Sequence, residues 1–309
     1  MITNKLYMMV GLPGSGKSTT AKALAASVGA VYISTDDIRT SMYGDPNILG
    51  GEEIFNVMVR DARRALAEKK DVILDATFMT SKRRRGILSN LGKEAKQAHR
   101  VCIVMCTPIE DCVSRDAKRS RSVGREVIER MVRTFTMPYY NEGWDEIRLA
   151  YDVECDYVPS EKYAARERGY DQGNSHHTLT LDGHHKEAVL YAINHNFPKA
   201  VKQAAMWHDC GKPDTRFVGD DGEAHYYNHE NIGAYHVLTS AMAKYLDNLH
   251  SGYLTIKIAM LISYHMVPYR FKNEECPHDA LIAWCIKKGF NMADAEDLWK
   301  LHQCDVAAH

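Results

Sequence analysis

The chain lacks several features that mark whole classes of protein. No stretch of its 309 residues approaches the run of about 20 apolar side chains that a membrane-spanning helix needs. Its eight cysteines include no Cys-x-x-Cys pair, and its net charge of −1 shows no excess of either sign. The amino terminus has the pattern of a short strand rather than of a secretion signal. We therefore expect a cytoplasmic protein with free thiols and no membrane partner.

Charge and histidine are distributed unevenly along the chain. Residues 1–155 contain 24 Lys and Arg against 20 Asp and Glu, a balance of +4, whereas the remainder contains 15 against 20, a balance of −5. Fourteen of the 15 histidines follow residue 175. The length suits two domains, and the mildly basic first half favours a polyanionic substrate.

Strand-like and helix-like patterns alternate through the first half only. Short apolar runs at 6–10, 31–33, 71–76 and 100–106 are separated by helical patterns, which predicts an α/β domain with a parallel, doubly wound sheet. From residue 181 onward we expect helices alone, over 186–194, 200–209, 232–246, 254–265, 279–288 and 294–305. The predicted domains are residues 1–157 and an all-α domain at 176–309, joined by a polar linker at 158–175.

The strongest motif is the phosphate loop Gly11-Leu-Pro-Gly-Ser-Gly-Lys-Ser18, which lies between a predicted strand and a predicted helix. In such a loop, backbone N–H groups converge on phosphate oxygens at the helix amino terminus. We expect Lys17 to reach the terminal phosphates of ATP and the Ser18 hydroxyl to bind Mg²⁺. The predicted ATP-binding residues of the loop are Gly14, Ser15, Gly16, Lys17, Ser18 and Thr19.

Carboxylates follow the next two strands, where an acceptor hydroxyl would approach the γ-phosphate. Asp36 and Asp37 could accept a hydroxyl proton or could merely cap the following helix. Asp75 could orient water on Mg²⁺ or simply end a strand. Of two arginine clusters, the one at 82–85 suits a solvated helix face as well as a functional site, and the one at 115–121 favours function.

These motifs together resemble the phage-type 5′-hydroxyl polynucleotide kinases. The resemblance covers residues 1 to about 155 and rests on the phosphate loop, Ser34-Thr-Asp-Asp-Ile-Arg39, Leu74-Asp-Ala-Thr-Phe78 and Arg115-x-x-Lys-Arg119. It implies that Asp36 is the general base, that Arg39 binds a substrate phosphate, and that Arg119 closes over ATP as a lid. Helical spacing would place Arg115 on the face of Arg119, and Thr77 is a further candidate substrate contact. Lys118 and Arg121 could join the lid or contact substrate phosphates.

The second half concentrates potential metal ligands. His208-Asp209 lies near the end of a predicted helix that Gly211 stops. Asp305 falls on the apolar face of the last predicted helix, where a carboxylate is costly unless it is paired or bound to metal. A buried salt bridge at Asp305 and an ordinary core histidine at His265 are the alternatives.

This pattern resembles the HD-superfamily phosphohydrolases over residues 176–309. The resemblance implies one metal held by His184, His208, Asp209 and Asp305, and a second completed by His229 and His265. In that family a bridging water, activated by two metals, attacks a phosphoester. The choice of His184 over His185 rests on the family pattern, which also includes His177. The neighbouring residues His225, His236 and Lys212 could contact substrate or could be unrelated to the site.

The two resemblances together predict an enzyme that repairs nucleic-acid ends. Its kinase would phosphorylate a 5′-hydroxyl with ATP and Mg²⁺, and its phosphohydrolase would clear a 3′-phosphate or 2′,3′-cyclic phosphate. RNA is favoured over DNA, and a ligase would act downstream. The alternatives are a small-molecule kinase fused to a nucleotidase, and a kinase with a regulatory nucleotide-binding HD module. His and Asp ligands suit Mn²⁺, Ni²⁺, Co²⁺, Zn²⁺ or Mg²⁺.

Overall fold

A computed structural model describes residues 4–45, 51–152, 154–155, 157–158, 160–175, 178–241, 243 and 252–309. The chain divides into two compact units. The first comprises Met1–Met131 and Pro138–Cys155, and the second comprises Val132–Met137 and Asp156–His309. Among the described helices, none is long and apolar enough to cross a membrane. All eight cysteines are free thiols.

The first unit is built on a five-stranded parallel sheet in the order β2-β3-β1-β4-β5. Its strands are β1 (Lys5–Val10), β2 (Val31–Ser34), β3 (Val72–Asp75), β4 (His99–Met105) and β5 (Glu146–Ala150). Its helices are α1 (Lys17–Val28), α2 (Thr35–Tyr43), α3 (Glu52–Ala67), α4 (Ser81–Leu91), α5 (Lys93–Gln97), α6 (Ile109–Ala117) and α7 (Arg125–Arg133), the last of which runs into the second unit. This is the predicted parallel α/β architecture.

Apolar side chains on both faces of the central strands are buried. Tyr7 and Met9 pack with α1 on one face, while Leu6, Met8 and Val10 are buried on the other. Burial on both faces is typical of a parallel sheet with helices on each side. The edge strand β5 was not predicted, because its sequence Glu-Ile-Arg-Leu-Ala is polar and four of its five residues are only half-buried.

Not all side chains of the arginine cluster at 82–85 are exposed to solvent. Arg84 is fully buried and makes two hydrogen bonds to the carboxylate of Glu142, at 2.7 and 2.6 Å. The Trp144 indole N–H donates to the same carboxylate. Because Glu142 lies 58 residues away, no local pattern could have predicted this ion pair.

The second unit is mainly helical. Its helices are α8 (Ser160–Glu167), α9 (Leu181–Asn194), α10 (Lys199–Trp207), α11 (Lys212–Thr215), α12 (His229–Leu238), α13 (Tyr253–Tyr264), α14 (Pro277–Lys287) and α15 (Met292–Ala307). A short antiparallel hairpin, β6 (Phe217–Val218) with β7 (Ala224–His225), interrupts them. The prediction of helices alone therefore missed this hairpin, whose strands are too short to show a period. The predicted helix at 232–246 ends at Leu238, and its positions 242 and 244–246 lie outside the described residues.

Two segments differ from the predicted domain boundaries. The predicted linker contains α8, whose Tyr163 is buried and hydrogen-bonded to His236 at 3.2 Å, so this segment is part of the second unit. Residues 132–137 also belong to that unit, where the ring of Phe135 meets Tyr235 edge-on at 5.4 Å. Helix α8 has only eight residues, four of them charged, which is too short for an apolar period to be recognised.

Candidate active sites

The phosphate loop leaves β1 and enters the amino terminus of α1. Gly14 and Gly16 have φ values of 78° and 85°, a left-handed conformation that side-chain-bearing residues rarely adopt. A Cβ atom on Gly14 would also lie 2.2 Å from the carbonyl oxygen of Cys112. Both conformation and space therefore require glycine at Gly14. Ser15 is buried between these glycines, and its carbonyl accepts a hydrogen bond from Thr107.

Lys17 begins α1 and reaches back across the loop. Its Nζ donates a hydrogen bond to the Leu12 carbonyl at 2.9 Å. Burial lowers the pKa of Lys17, while the nearby charges of Asp75 and Asp36 oppose that change. The ammonium group thus interacts with the loop and with the carboxylates that follow β2 and β3.

Asp75 lies where the ends of three strands meet. It pairs in register with Ser34 of β2 and Met9 of β1, and its side chain is buried. The hydroxyl of Tyr32 donates to Asp75 Oδ2 at 2.7 Å. Burial, together with this hydrogen bond, raises the pKa of Tyr32. Asp75 and Ser18 line one cavity, so both are placed to serve a cation there.

The helix cap at α2 separates the roles of the two neighbouring aspartates. Ser34 Oγ accepts the N–H of Asp37 at 3.0 Å, so the cap is Ser34 and neither aspartate performs that function. Asp36 lines the cavity, whereas Asp37 is exposed and is not among the cavity's lining residues. Arg39 Nη1 donates to Asp36 Oδ1 at 2.7 Å.

A second arginine, which the sequence left ambiguous, contacts the same carboxylate oxygen. Arg121 Nη1 lies 3.1 Å from Asp36 Oδ1, so Asp36 is held between two guanidinium groups. The two residues are 85 positions apart, and no spacing rule connects them. Only its place in a basic segment distinguished Arg121 in the sequence.

The arginines of the 115–121 segment do not share a helical face. Helix α6 ends at Ala117, so Arg119 lies beyond the helix and the expected pairing of Arg115 and Arg119 at helical spacing is wrong. Arg115 instead pairs with Asp152 at 2.6 Å, and Arg119 lies 3.5 Å from Asp116. The helix stops because the buried Asp116 draws the following loop back on itself.

Asp116 organises that loop with one oxygen atom. Its Oδ2 accepts hydrogen bonds from the Ser122 hydroxyl and from the N–H groups of Val123 and Gly124, at 2.8, 2.9 and 3.0 Å. Burial alone would raise the pKa of Asp116, but these donors outweigh it and hold the pKa below its usual range. The anchored loop presents Arg119 and Arg121 to the cavity.

These side chains enclose a cavity of about 470 Å³ in the first unit. Its lining includes the predicted residues Gly14, Gly16, Lys17, Ser18, Thr19, Asp36, Arg39, Thr77, Arg115 and Arg119. Of the predicted ATP-binding residues, Ser15 alone is not on that lining. Phe55, Asp75 and Arg121 also line it, and Phe55 carried no sequence signal of a role in a site.

The second unit brings six predicted ligand residues into two adjoining groups. In the first, Asp305 Oδ1 lies 3.1 Å from His184 Nε2 and 3.4 Å from His208 Nε2, which are themselves 3.1 Å apart. In the second, Asp209 Oδ1 lies 3.0 Å from His229 Nε2 and 3.5 Å from His265 Nε2. Asp209 Oδ2 faces the first group, at 3.7 Å from His184 and 3.6 Å from His208. Asp209 therefore joins the two groups.

Hydrogen bonds orient all four imidazoles in the same way. The Nδ1 atoms of His184, His208, His229 and His265 lie 3.2, 3.0, 2.6 and 2.8 Å from backbone carbonyl oxygens. A carbonyl can only accept, so an imidazole held in this way donates through Nδ1 and, when neutral, turns an Nε2 lone pair inward. Two such nitrogens face each other at 3.1 Å in each group, which is repulsive unless a proton or a cation lies between them.

The ligand spacing fits a metal ion. Nitrogen and oxygen atoms that share an ion at about 2.1 Å lie roughly 3.0–3.4 Å from one another. Most of the separations above are in or close to that range. Burial raises the pKa of both Asp305 and Asp209, but opposing effects hold each pKa well below its usual range. The largest of these effects is the charge of His208 for Asp305 and the charge of Lys212 for Asp209. The site is thus built to keep both carboxylates ionised.

The other described histidines near the cluster have partners outside it, whereas Lys212 contacts the cluster itself. His185 is buried against Glu167 at 3.1 Å, His236 pairs with Asp214 at 2.7 Å, and His225 lies on β7 beside Asp221 at 3.2 Å. His225 therefore lies on a strand, before the helix that His229 begins. Lys212 Nζ lies 2.6 Å from Asp209 Oδ2. His177 lies outside the described residues.

Two residues at the cluster were not predicted. The Tyr269 hydroxyl donates to Asp305 Oδ2 at 2.9 Å, and His309 Nε2 lies 3.5 Å from Asp305 Oδ1. His309 lies beyond the end of α15, and its spacing of four residues from Asp305 is the signal that could have found it. Among the described residues, the charged neighbours of Asp305 are histidines, and no Lys or Arg salt bridge to it is present.

Comparison with known proteins gives a family model, which matches the first half of the chain, and several relatives. A family model described as an AAA domain matches residues 6–138. An uncharacterized protein of Mycobacterium tuberculosis is 36% identical over 90 residues, which cover 25% of this chain and 18% of that protein. The chain therefore spans about a fifth of the length of this relative. Adenylate kinase of Micrococcus luteus is 31% identical over 140 residues, which cover 40% of this chain and 68% of the enzyme.

Solved structures also match this chain, with low TM-scores. A chain of the Pnkp1/Rnl/Hen1 RNA repair complex has 25% sequence identity and a TM-score of 0.38, and the match covers 42% of this chain and 43% of that one. Kti12 of Chaetomium thermophilum has 21% identity and a TM-score of 0.39, covering 49% and 91%. From the AAA-domain match, the adenylate kinase relative and the phosphate loop on its parallel sheet, we conclude that the chain belongs to the P-loop kinases.

Proposed function

We propose that this protein repairs the ends of broken nucleic acid, with RNA as its preferred substrate. The first unit transfers the γ-phosphate of ATP to a 5′-hydroxyl, and the second unit removes a 3′-phosphate or 2′,3′-cyclic phosphate. The observation that carries this proposal is the presence on one chain of a phosphate-loop cavity with an arginine-clamped carboxylate and a buried set of inward-facing imidazoles and carboxylates.

The kinase reaction is supported by the chemistry of the first cavity. In this proposal Asp36 accepts the proton of the attacking hydroxyl, and Lys17 stabilises the transferring phosphoryl group. Mg²⁺ bound at Ser18, with Asp75 close by, would neutralise charge on the ATP phosphates. Arg39 is suited to a phosphate of the acceptor, and Arg115 and Arg119 to the phosphates of ATP.

The contact of Arg121 with Asp36 links the binding of phosphate groups to the action of Asp36 as the base. Oδ1 of Asp36 accepts hydrogen bonds from the guanidinium groups of Arg39 and Arg121, so these donors occupy the oxygen that would accept the hydroxyl proton. Phosphate groups that enter the cavity compete for the same guanidinium groups. Binding of phosphorylated substrates would therefore free the Asp36 oxygen when it is needed.

The phosphohydrolase reaction is supported by the fit of the second cluster to divalent metal ions. His184, His208, Asp209 and Asp305 would hold one ion, and Asp209, His229 and His265 would hold the other. Bound metals supply Lewis acidity to a phosphoester and lower the pKa of water. Lys212 keeps Asp209 ionised and oriented through its 2.6 Å contact, and the backbone carbonyls fix the tautomer of every imidazole.

The adenylate kinase relative favours a second candidate function. In this alternative, the first unit phosphorylates a nucleotide or nucleoside and the second unit hydrolyses nucleotide phosphates in salvage. The same carboxylate and arginines would then serve a free small molecule. The two candidates differ in whether a polynucleotide is required.

A single substrate tests both halves of the proposal. An RNA oligonucleotide with a 5′-hydroxyl and a 2′,3′-cyclic phosphate is incubated with labelled ATP, Mg²⁺ and each transition metal in turn. We expect labelled 5′-phosphate and loss of the cyclic phosphate, which leaves ends that a ligase can join. Phosphorylation of nucleosides or nucleoside monophosphates with no activity on the oligonucleotide would establish the salvage function instead. The same sequence as DNA, run in parallel, measures the preference for RNA.

A further inference from the structure

One aromatic side chain lines the cavity of the first unit. Phe55 lies in the first turn of α3 and is half-buried. Among the described residues that line this cavity, it is the only one with an aromatic ring, and it shares the lining with Asp36, Arg39 and Thr77. Helix α3, which carries Phe55, packs against α2, which carries the candidate base, so the two neighbouring helices both contribute to the wall of this cavity.

A cation contacts the ring of Phe55. The guanidinium of Arg83 lies 4.2 Å from the ring centroid, which is within the range of a cation–π contact. Glu52, one helical turn from Phe55, accepts a hydrogen bond from Arg83 at 2.9 Å and so holds it there. The side chain of Phe55 is thus kept in place at the cavity wall.

A residue with a strained backbone, Phe78, also contacts the ring of Phe55. The rings of Phe55 and Phe78 lie 6.3 Å apart at 58°. Phe78 is buried and has a φ of 43°, a left-handed conformation that is unfavourable for an aromatic residue. Its carbonyl accepts a hydrogen bond from the fully buried Arg84, at 2.9 Å. Backbone strain of this kind persists where surrounding structure imposes it, and it clusters at functional sites.

We propose that Phe55 is the platform on which the nucleobase of the acceptor nucleotide stacks. This inference rests on the proposed polynucleotide kinase activity. When the 5′-hydroxyl lies at Asp36, the base on the same sugar is the part of the acceptor that can reach a neighbouring cavity wall. Every nucleobase offers a planar face, so an aromatic platform would bind the end of a strand without selecting its sequence.

Pairing enzyme variants with acceptor variants separates stacking from a structural role. Phe55→Leu removes the ring while keeping apolar volume, and Phe55→Trp keeps an aromatic face. Each protein is assayed on a 5′-hydroxyl RNA oligonucleotide and on the same oligonucleotide with an abasic residue at its 5′ end. The KM for ATP and the thermal unfolding midpoint are the control measurements.

We expect Phe55→Leu to lower kcat/KM on the intact acceptor by about 5- to 100-fold, the range of one base–aromatic contact. On the abasic acceptor the same variant should differ from wild type by less than about twofold, and Phe55→Trp should retain activity on both. An equal loss on intact and abasic acceptors would overturn the inference while leaving the kinase assignment intact. If wild-type protein phosphorylates no 5′-hydroxyl oligonucleotide, the proposed function fails, and the platform fails with it.

Discussion

At the scale of single residues, the two adjacent aspartates at the start of α2 have different environments. Asp36 lines the phosphate-loop cavity and contacts two arginines, whereas Asp37 is exposed and contributes its N–H to the Ser34 cap. They are equal in charge and share one helical turn. Asp37 is therefore a matched control for any variant of Asp36.

The first prediction concerns the general base. Asp36→Asn should lower kcat for 5′-phosphorylation by about 10²- to 10⁴-fold, because an amide cannot accept the hydroxyl proton. The Kd for ATP should change little, and Asp37→Asn should keep nearly wild-type kcat. Lys17→Ala should also lose activity, through lost stabilisation of the transferring phosphoryl group. Wild-type turnover by Asp36→Asn in a single-turnover assay would show that another group takes the proton.

The second prediction concerns Asp305, which is buried near the end of α15. Asp305→Asn is nearly isosteric, but it removes the charge that faces His184 and His208. We expect less metal in the purified protein by elemental analysis, together with loss of 3′-end phosphate release, while kinase activity is retained.

Asp294→Asn is the matched control for Asp305→Asn. Asp294 is also a buried carboxylate of α15, but it pairs with Lys257 rather than with the histidine cluster. This variant should lower the unfolding temperature, because it leaves the buried Lys257 ammonium with Asp297 as its one remaining carboxylate partner among the described residues, yet it should keep its metal content. Equal metal loss in both variants would mean that Asp305 acts only through stability.

At the scale of secondary-structure elements, the loop after α6 owes its shape to one carboxylate. The third prediction is that Asp116→Asn lowers kcat/KM for the kinase by about tenfold. The three hydrogen bonds to Asp116 are charge-assisted, and a hydrogen bond to a charged group contributes about 1.5–3 kcal/mol to stability. Because the amide of Asn weakens these bonds, the loop that carries Arg119 and Arg121 is released. Asp145→Asn, which removes a more exposed pair with Arg100 in the same unit, serves as the control. Unchanged kinetics in the Asp116 variant would show that the loop is held by other contacts.

The fourth prediction concerns α8, the helix found within the predicted linker. Burial, together with the charge of Asp209, raises the pKa of Glu167 from its ordinary value of 4.5 to about 7. A raised pKa in the folded state means that Glu167 contributes stability below about pH 4.5, and that this contribution is lost as the pH rises through about 7.

Glu167→Gln should therefore unfold like wild type at pH 4.5 and be more stable by about 1–3 kcal/mol at pH 8, where the wild-type carboxylate is ionised. Thermal unfolding of both proteins across this pH range measures the difference. A constant difference at all pH values would show that Glu167 does not titrate on folding.

At the scale of the whole molecule, the phosphate-loop cavity and the histidine cluster lie in different compact units. The fifth prediction is that the two activities are separable. Lys17→Ala should retain phosphohydrolase activity, and Asp209→Ala should retain kinase activity. Loss of both activities in either variant, with the circular dichroism spectrum unchanged, would indicate one composite site.

Much of this protein follows from local sequence. The phosphate loop, the strand that precedes it and the helix that follows it are contiguous, and each depends on glycine conformation or apolar period within a few residues. The carboxylates after β2 and β3 could be placed at one edge of the sheet because parallel strands align their carboxyl ends. Asp305 was recognisable because a charge on an apolar helical face is costly without a partner.

Only the tertiary structure decided the contacts between distant residues. Whether His184 or His185 faces His208 depends on the rotation of α9, and the sequence period permits either. The pairing of Arg121 with Asp36, the burial of Arg84 against Glu142, and the place of Phe55 in the cavity wall join segments far apart in the chain. Such contacts are set by how helices pack, and helix packing responds to the summed burial of many side chains rather than to any local pattern.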